Sequence, residues 1–372
     1  MLNYEFPPIG GGAGNANLCL LKEYAGNSDL VIDVLTSAPK PGFFKERFSE
    51  NITTYKVGVH KKNLHFWRKT EVIEWLAKAQ FHYRRLLRES NYDLVHAFFG
   101  FPTGWLCYRT ADRLPYVISL RGSDVPGYNI RLGLDYKLLA GLFRRIWSAA
   151  AAVVANSEGL RKLALEFMPG LDIKVIPNGI DTERFQPAEK QSLTEPIRLL
   201  TVCRLISRKR IDLLIEAVAR TKQLGLNIQF SIAGEGNLMT QLQSLANQLN
   251  VADSVSFMGR IPPEQMPQLY RDNDIFIMSS AHEGMSNAML EAMASGLPII
   301  TTRCEGVEEL LTDNGVVLER INAEAIAEAI KKMADDQETY KEMCIAATKQ
   351  AEKFSWKLVA EKYLDSYSEI LS

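Results

Sequence analysis

At 372 residues, with 47% apolar and 23% charged residues and a formal net charge of −1, the chain has the composition of a globular protein long enough for two domains. That balance excludes a disordered chain and gives no basis for a nucleic-acid partner. The five cysteines (Cys19, Cys107, Cys203, Cys304, Cys344) are odd in number and scattered, mostly within apolar runs, which reads as reduced core thiols of a cytoplasmic protein. No secretory leader is expected, and no apolar run reaches about 18 residues, so any membrane contact is expected to be peripheral.

Residues 1–6 read as a clipped first strand, and an upstream start is an open alternative. The run Pro7-Pro8-Ile9-Gly10-Gly11-Gly12-Ala13-Gly14 follows, then a helical stretch over 18–24. A glycine run between strand and helix lets backbone amides approach a phosphate or a sugar, which marks Gly11 and Gly12 as candidates. It is not a dinucleotide fingerprint: with Gly10 and Gly12 as the first two glycines, the third place falls on Asn15. Residues 30–35 and 53–59 read as strands and 39–44 as a loop.

Residues 60–90 carry eight Lys and Arg against three Glu, with Phe66, Trp67, Trp75, Phe81 and Tyr83 interleaved. Two readings stand: a surface helix with its aromatic face in the core, or a basic amphipathic segment suited to an anionic membrane surface. The charge is also uneven along the chain. Residues 1–179 hold 23 Lys and Arg against 16 Asp and Glu, and the remainder 20 against 28.

Strands follow at 94–98, 116–120, 153–156 and 173–176. The second of these leads into Arg121-Gly122-Ser123-Asp124, and the last into the turn Pro177-Asn178-Gly179-Ile180-Asp181. Residues 186–196 read as a polar linker. A strand at 197–203 ends at Arg204, with Lys209 five residues on, before an amphipathic helix. Two cations at a strand end can neutralise a pyrophosphate. Strands at 228–233 and 254–257 lead to Gly234-Glu235-Gly236 and Gly259-Arg260-Ile261. Asp272-Asn273-Asp274 has the look of a metal-binding pair, but it precedes a strand, opposite the expected ligand edge, so no metal is expected there.

The densest pattern is residues 274–302. An apolar run, 275–278, reads as a buried strand; Met285, Met289, Ala292 and Met293 then recur at helical spacing, and 297–300 reads as the next strand. Glu283 and Gly284 fall in the loop between strand and helix. The amides of Gly284, Met285, Ser286 and Asn287 open the helix and could bind an anion or sugar hydroxyls, and Glu291 lies two turns beyond Glu283. The string HEGMSNAMLEAMASGLPII resembles the signature of family four of the retaining glycosyltransferases (glycosyl transferases group 1), with Glu283 and Glu291 in its E-x7-E spacing.

That resemblance covers nearly the whole chain. It implies the GT-B fold: an α/β chain of two doubly wound, Rossmann-like domains facing a cleft. The expected division is 1–179 for the acceptor, 180–354 for a nucleotide-diphosphate sugar donor, and a helix in 355–372 returning to the first domain. By the same resemblance Arg204 and Lys209 meet the diphosphate, Glu283 the donor sugar, Glu291 the ribose, and Arg260 and Ile261 the base. The 259–261 loop does not distinguish uracil from guanine; a UDP-sugar is set ahead of a GDP-sugar. Where the family has H-G-x-D this chain has Arg121 to Asp124, and a guanidinium can pair with phosphate but cannot act as a neutral imidazole. The implied activity is retaining transfer of a hexosyl group to a hydroxyl acceptor, a lipid-linked or cell-envelope saccharide, with no cofactor. An epimerase or phosphorylase on this architecture, or a non-enzymatic sugar- or lipid-binding protein, are the alternatives.

Overall fold

Short apolar runs alternating with amphipathic helices build two mainly parallel sheets with helices on their faces. The computed structural model describes residues 1–372 other than 65, 130–131, 189–191, 282, 284 and 305. The chain divides into two units, Met1–Gly179 together with Trp356–Ser372, and Ile180–Ser355.

The first unit contains α1 (Gly12–Tyr24), β1 (Ile32–Ala38), β2 (Phe43–Arg47), β3 (Ile52–Gly58), α2 (Lys69–Glu89), β4 (Val95–Phe98), α3 (Thr103–Tyr108), β5 (Tyr116–Leu120), α4 (Gly133–Ser148), β6 (Ala152–Ala155), α5 (Glu158–Phe167) and β7 (Ile173–Val175). The strand orders are β1-β3-β2 and β4-β5-β6-β7. Leu2 bridges both Leu35 of β1 and Ala97 of β4 and so joins the two groups. The strand expected over 1–6 shrinks to this bridge. Asn3 turns the chain by accepting from the Glu5 amide at 3.0 Å, and Pro7 and Pro8 have no N–H for a ladder. The loop expected over 39–44 is another correction: Phe43 and Phe44 open β2, antiparallel to β3, with Phe43 against the Tyr55 ring at 6.1 Å. Likewise α1 starts at Gly12, six residues before the expected helix.

In α2, Trp75, Ala79, Tyr83 and Leu86 face the core, and Trp75 also donates to Thr36 O at 3.2 Å. Phe66, Ile73 and Phe81 are exposed, so only part of the aromatic and apolar set enters the core. Lys61 is not a surface cation. Its ammonium meets Glu71 at 2.9 Å, with the two side chains 1% and 6% exposed, and lies 3.8 Å over the Trp67 ring. Glu71 also accepts from the Arg68 amide at 3.0 Å, closing the start of α2. Burial alone would raise its carboxyl, but Lys61 and the Arg68 and Lys62 amides outweigh it and hold it below the usual range.

The second unit contains β8 (Ile197–Val202), α6 (Ile211–Gln223), β9 (Ile228–Ala233), α7 (Met239–Gln248), β10 (Val255–Gly259), α8 (Met266–Arg271), β11 (Ile275–Met278), α9 (Asn287–Ala294), β12 (Ile299–Thr302), α10 (Val307–Leu310), β13 (Gly315–Leu318), α11 (Ala323–Asp335) and α12 (Gln337–Glu352). Its parallel sheet has the order β10-β9-β8-β11-β12-β13. β13 has no counterpart in the sequence reading, being four residues long behind an Asp313-Asn314 turn. Residues alternate between two apolar cores: Ile275 and Ile277 of β11 enter one, Phe276 and Met278 the other. Burial on both faces is why these strands are continuous apolar runs. The last helix, α13 (Trp356–Leu371), belongs to the first unit, where Ala360 O accepts from Tyr24 OH at 3.2 Å.

Candidate active site

The second sheet starts at its centre with β8, grows outward through β9 and β10, and crosses back to β11 on the other side. The strand order therefore reverses between β8 and β11, and the loops at their carboxyl ends splay apart there, the place where open α/β sheets bind ligands. Arg204 follows β8, exposed and with no side-chain hydrogen bond among the described residues. Ser207–Lys209 form one 3-10 turn that closes on Arg210 in the left-handed region at φ 48°. This turn is clipped to the end of β11. Ser279 Oγ donates to Lys209 O at 2.9 Å and to Arg210 O at 2.7 Å, and Ala281 N donates to Arg208 O at 2.8 Å. Across that clip the Lys209 ammonium pairs with the Glu283 carboxylate, the two side chains 11% and 10% exposed. The β9 loop packs flat behind them. Gly234 has φ +135°, and a Cβ there would lie 1.9 Å from Cys203 O; one on Gly236 would lie 2.1 Å from Leu205 O. Only glycine permits that approach. Burial pushes the neighbouring Cys203 thiol up to about 11, which keeps it a neutral wall.

Ser286 is the N-cap of α9, its hydroxyl accepting from the Met289 amide at 3.4 Å. Met285 turns its side chain into the core, and Asn287 is half-buried at the first helical position. Gly284, like His282 and Glu305, lies outside the described residues. Glu291, one of two carboxylates expected at this helix, is fixed differently from Glu283: its Oε2 accepts from Tyr270 OH at 2.8 Å. Burial pushes its carboxyl up to about 7, against the opposing pull of Tyr270 and Arg184. Arg260 and Ile261 follow β10, the first exposed and the second half-buried; Gly259 O accepts from Gly234 N at 2.7 Å, tying that loop to the β9 loop. Asp274 lies at the opposite edge, accepting from the Arg198 amide at 2.8 Å. No group of three or more His, Cys, Asp or Glu side chains among the described residues could hold a metal ion.

The remaining candidates belong to the first unit. The glycine loop is already engaged: Gly10 N donates to Leu64 O at 2.7 Å, and Gly11 N to Glu5 Oε2 at 3.2 Å. Gly12 is the first residue of α1. Asp124 is buried and accepts from the amides of Gly100 at 2.7 Å and Arg121 at 2.8 Å, so it braces the ends of β4 and β5. Burial raises its carboxyl, and those amides work against the rise. The Arg121 guanidinium donates to Asn178 Oδ1 at 2.8 Å and lies 4.6 Å over the Phe98 ring, while its Nε has no partner among the described residues. His96 is a satisfied core histidine, 2.6 Å from both Tyr367 OH and Ser119 Oγ; burial, with Arg121 nearby, holds it neutral.

Sequence reasoning missed Ser279, which joins the two strand-end loops, and Tyr270, which grips Glu291. The first was visible as a serine at a strand end. The second lies 21 residues before its partner, on another helix, with no local pattern to expose it.

Comparison with known proteins bears on the family and the fold. The family model described as Glycosyl transferases group 1 matches residues 182–350, and that of Glycosyltransferase Family 4 matches 10–184. A phosphatidylinositol N-acetylglucosaminyltransferase subunit of Arabidopsis thaliana is 31% identical over 258 residues, 67% of this chain and 56% of that protein. A GDP-mannose-dependent alpha-(1-6)-phosphatidylinositol monomannoside mannosyltransferase of Mycolicibacterium smegmatis is 29% identical over 233 residues, 58% of this chain and 61% of that protein. The chain thus spans less than two thirds of either relative. Sucrose-phosphate synthase from Thermosynechococcus elongatus superposes with a TM-score of 0.80 at 18% identity, covering 97% of this chain and 94% of that one. The two Rossmann-like domains are those of the GT-B fold.

Proposed function

We propose, from the premise that the chain belongs to the group 1 glycosyltransferases, that it transfers a sugar from a nucleoside diphosphate sugar to an acceptor hydroxyl with retention at the anomeric carbon. The observation that supports this reading is the Lys209–Glu283 ion pair at the β8/β11 switch point, with the exposed Arg204 following β8. In the reaction the bond from anomeric carbon to phosphate oxygen breaks, and its electron pair goes to the β-phosphate. The acceptor oxygen bonds to the anomeric carbon on the same face, and its proton passes to the departing phosphate. Charge grows on the diphosphate as the bond opens, so fixed cations there lower the barrier. Arg204 and Lys209 supply that charge, Glu283 orients the sugar, and Glu291 receives the ribose hydroxyls. Met285 to Asn287 line the start of α9, and Arg260 and Ile261 border the base. Both of these relatives carry phosphatidylinositol in their names, which supports a lipid-linked or envelope saccharide as acceptor, held by the first unit.

The test is incubation with UDP- and GDP-sugars and a lipid-linked saccharide in the presence of a chelator, with the new linkage read by proton NMR. Transfer with retained configuration is expected, since two side-chain cations serve the leaving group. Inverted product, or activity restored only by added divalent metal, overturns that mechanism; a strict need for free phosphate identifies a phosphorylase.

The first unit is also proposed to rest on an anionic membrane. No helix among the described residues is long and apolar enough to cross one. Lys62, Arg68, Lys69, Arg84, Arg85 and Arg88 are exposed alongside Phe66, Ile73 and Phe81, and each cation near such a surface contributes about 1 kcal/mol. Replacing Lys62, Arg68 and Lys69 together by Ser is expected to reduce sedimentation with anionic vesicles at low salt. Equal partitioning onto neutral vesicles contradicts the idea. Lys61 stays untouched, because breaking its buried pair with Glu71 would cost about 3–5 kcal/mol of stability.

A further inference from the structure

The Glu291 carboxylate is held by a group built into the core. Tyr270 lies in the last turn of α8, which packs against α9, and its ring is completely buried. Phe185 fixes the ring edge-on at 5.9 Å and Phe276 lies at 6.1 Å. The hydroxyl stands 2.8 Å from Glu291 Oε2 and 3.3 Å from Ala288 O. A phenol has one proton to give, and the shorter, charge-assisted bond takes it. Oε2 is thereby occupied, and Oε1 has no hydrogen-bond partner among the described residues.

We propose that Tyr270 is a positioning residue for the donor nucleotide: its hydroxyl locks the Glu291 carboxylate in the one rotamer that presents Oε1 to the ribose diol. This rests on the reading of Glu291 given above. A carboxylate on a helix surface otherwise samples several rotamers, and each productive encounter would have to freeze them. Tyr270 removes that cost beforehand. It also favours the ionised form of Glu291, the form that accepts from two hydroxyls. The other charged or titratable groups acting here are Arg184, from the segment after Ile180, and Cys203, after β8, which acts on Tyr270 itself. α9 carries no second ionisable residue.

The experiment is calorimetric titration of UDP, and of GDP in parallel, into the wild type, Tyr270→Phe, Glu291→Gln and the double variant from about pH 5.5 to 8.5, with melting curves for all four. Tyr270→Phe is expected to bind about tenfold more weakly at neutral pH. Its acidic limb is expected to move about one unit upward, because the bond that favours the carboxylate is gone. In the Glu291→Gln background the same change is expected to shift no limb. Wild-type affinity and wild-type pH profile in Tyr270→Phe overturn the proposal. So does an equal, pH-independent loss in both backgrounds, which would mark Tyr270 as merely structural. Undiminished binding by Glu291→Gln is a distinct result: it removes the ribose assignment itself.

Discussion

Arg204→Ala is expected to lower turnover roughly 10²–10³-fold, the loss typical of removing one preorganised donor to a developing negative charge, while leaving thermal stability almost unchanged. The guanidinium is exposed and holds no partner among the described residues, so its removal orphans nothing; such surface changes stay within about 0.5 kcal/mol. Lys209→Ala is expected to lose as much activity and to lose stability as well. It removes the cation from a Glu283 carboxylate that is only 10% exposed, at a cost on the order of 1–3 kcal/mol. The pair of variants thus separates chemistry from folding. Stopped assays with saturating donor, set beside melting curves, check it. If both variants raised KM alone, the cations would hold the ground state and not the leaving group.

Glu291→Gln is expected to weaken nucleoside diphosphate binding roughly 10- to 100-fold, since hydrogen bonds to a charged group contribute about 1.5–3 kcal/mol. The same change is expected to stabilise the ligand-free protein at alkaline pH. Burial pushes this carboxyl up from 4.5 to about 7. Between those values the folded protein keeps a proton that the unfolded chain has released, so stability falls as pH rises through the window. Glu291 is only half-buried, so solvent screens part of this and the effect is on the order of 1–2 kcal/mol at pH 8 and little at pH 5. Gln carries no charge and escapes the loss. The gap in melting temperature between variant and wild type therefore opens between about pH 5 and 8. A constant gap would mean that Glu291 ionises normally. Glu283→Gln is expected to spare bare nucleotide binding and impair reaction of the intact donor. The reverse pattern would exchange the two roles.

Much of the fold, and the placement of the candidate residues on it, was legible in the sequence, and for identifiable reasons. Apolar runs such as 275–278 announce strands buried on both faces, and Arg204, Lys209 and Glu283 stand at strand ends, where the ligand edge of such a sheet must lie. What failed depended on partners distant in sequence. Residues 1–6 read as a strand, yet only Leu2 bridges, because Asn3 turns the chain. Phe43 and Phe44 read as loop, yet pair with β3. Lys61 read as part of a basic surface, yet is buried against Glu71 and Trp67. In each case a tertiary contact overrode the local pattern. Tyr270 belongs with them: a tyrosine on a short helix signals nothing until α8 is seen against α9.

If the β8/β11 switch point is a nucleoside diphosphate site, titration of the wild-type protein with UDP and GDP will reveal it. One of the two is expected to bind at one site per chain, with affinity lowered roughly 10- to 100-fold in Glu291→Gln and reduced as well in Lys209→Ala. Absence of binding by both nucleotides at millimolar concentration, or binding that neither substitution alters, would mean that the switch point holds no nucleoside diphosphate.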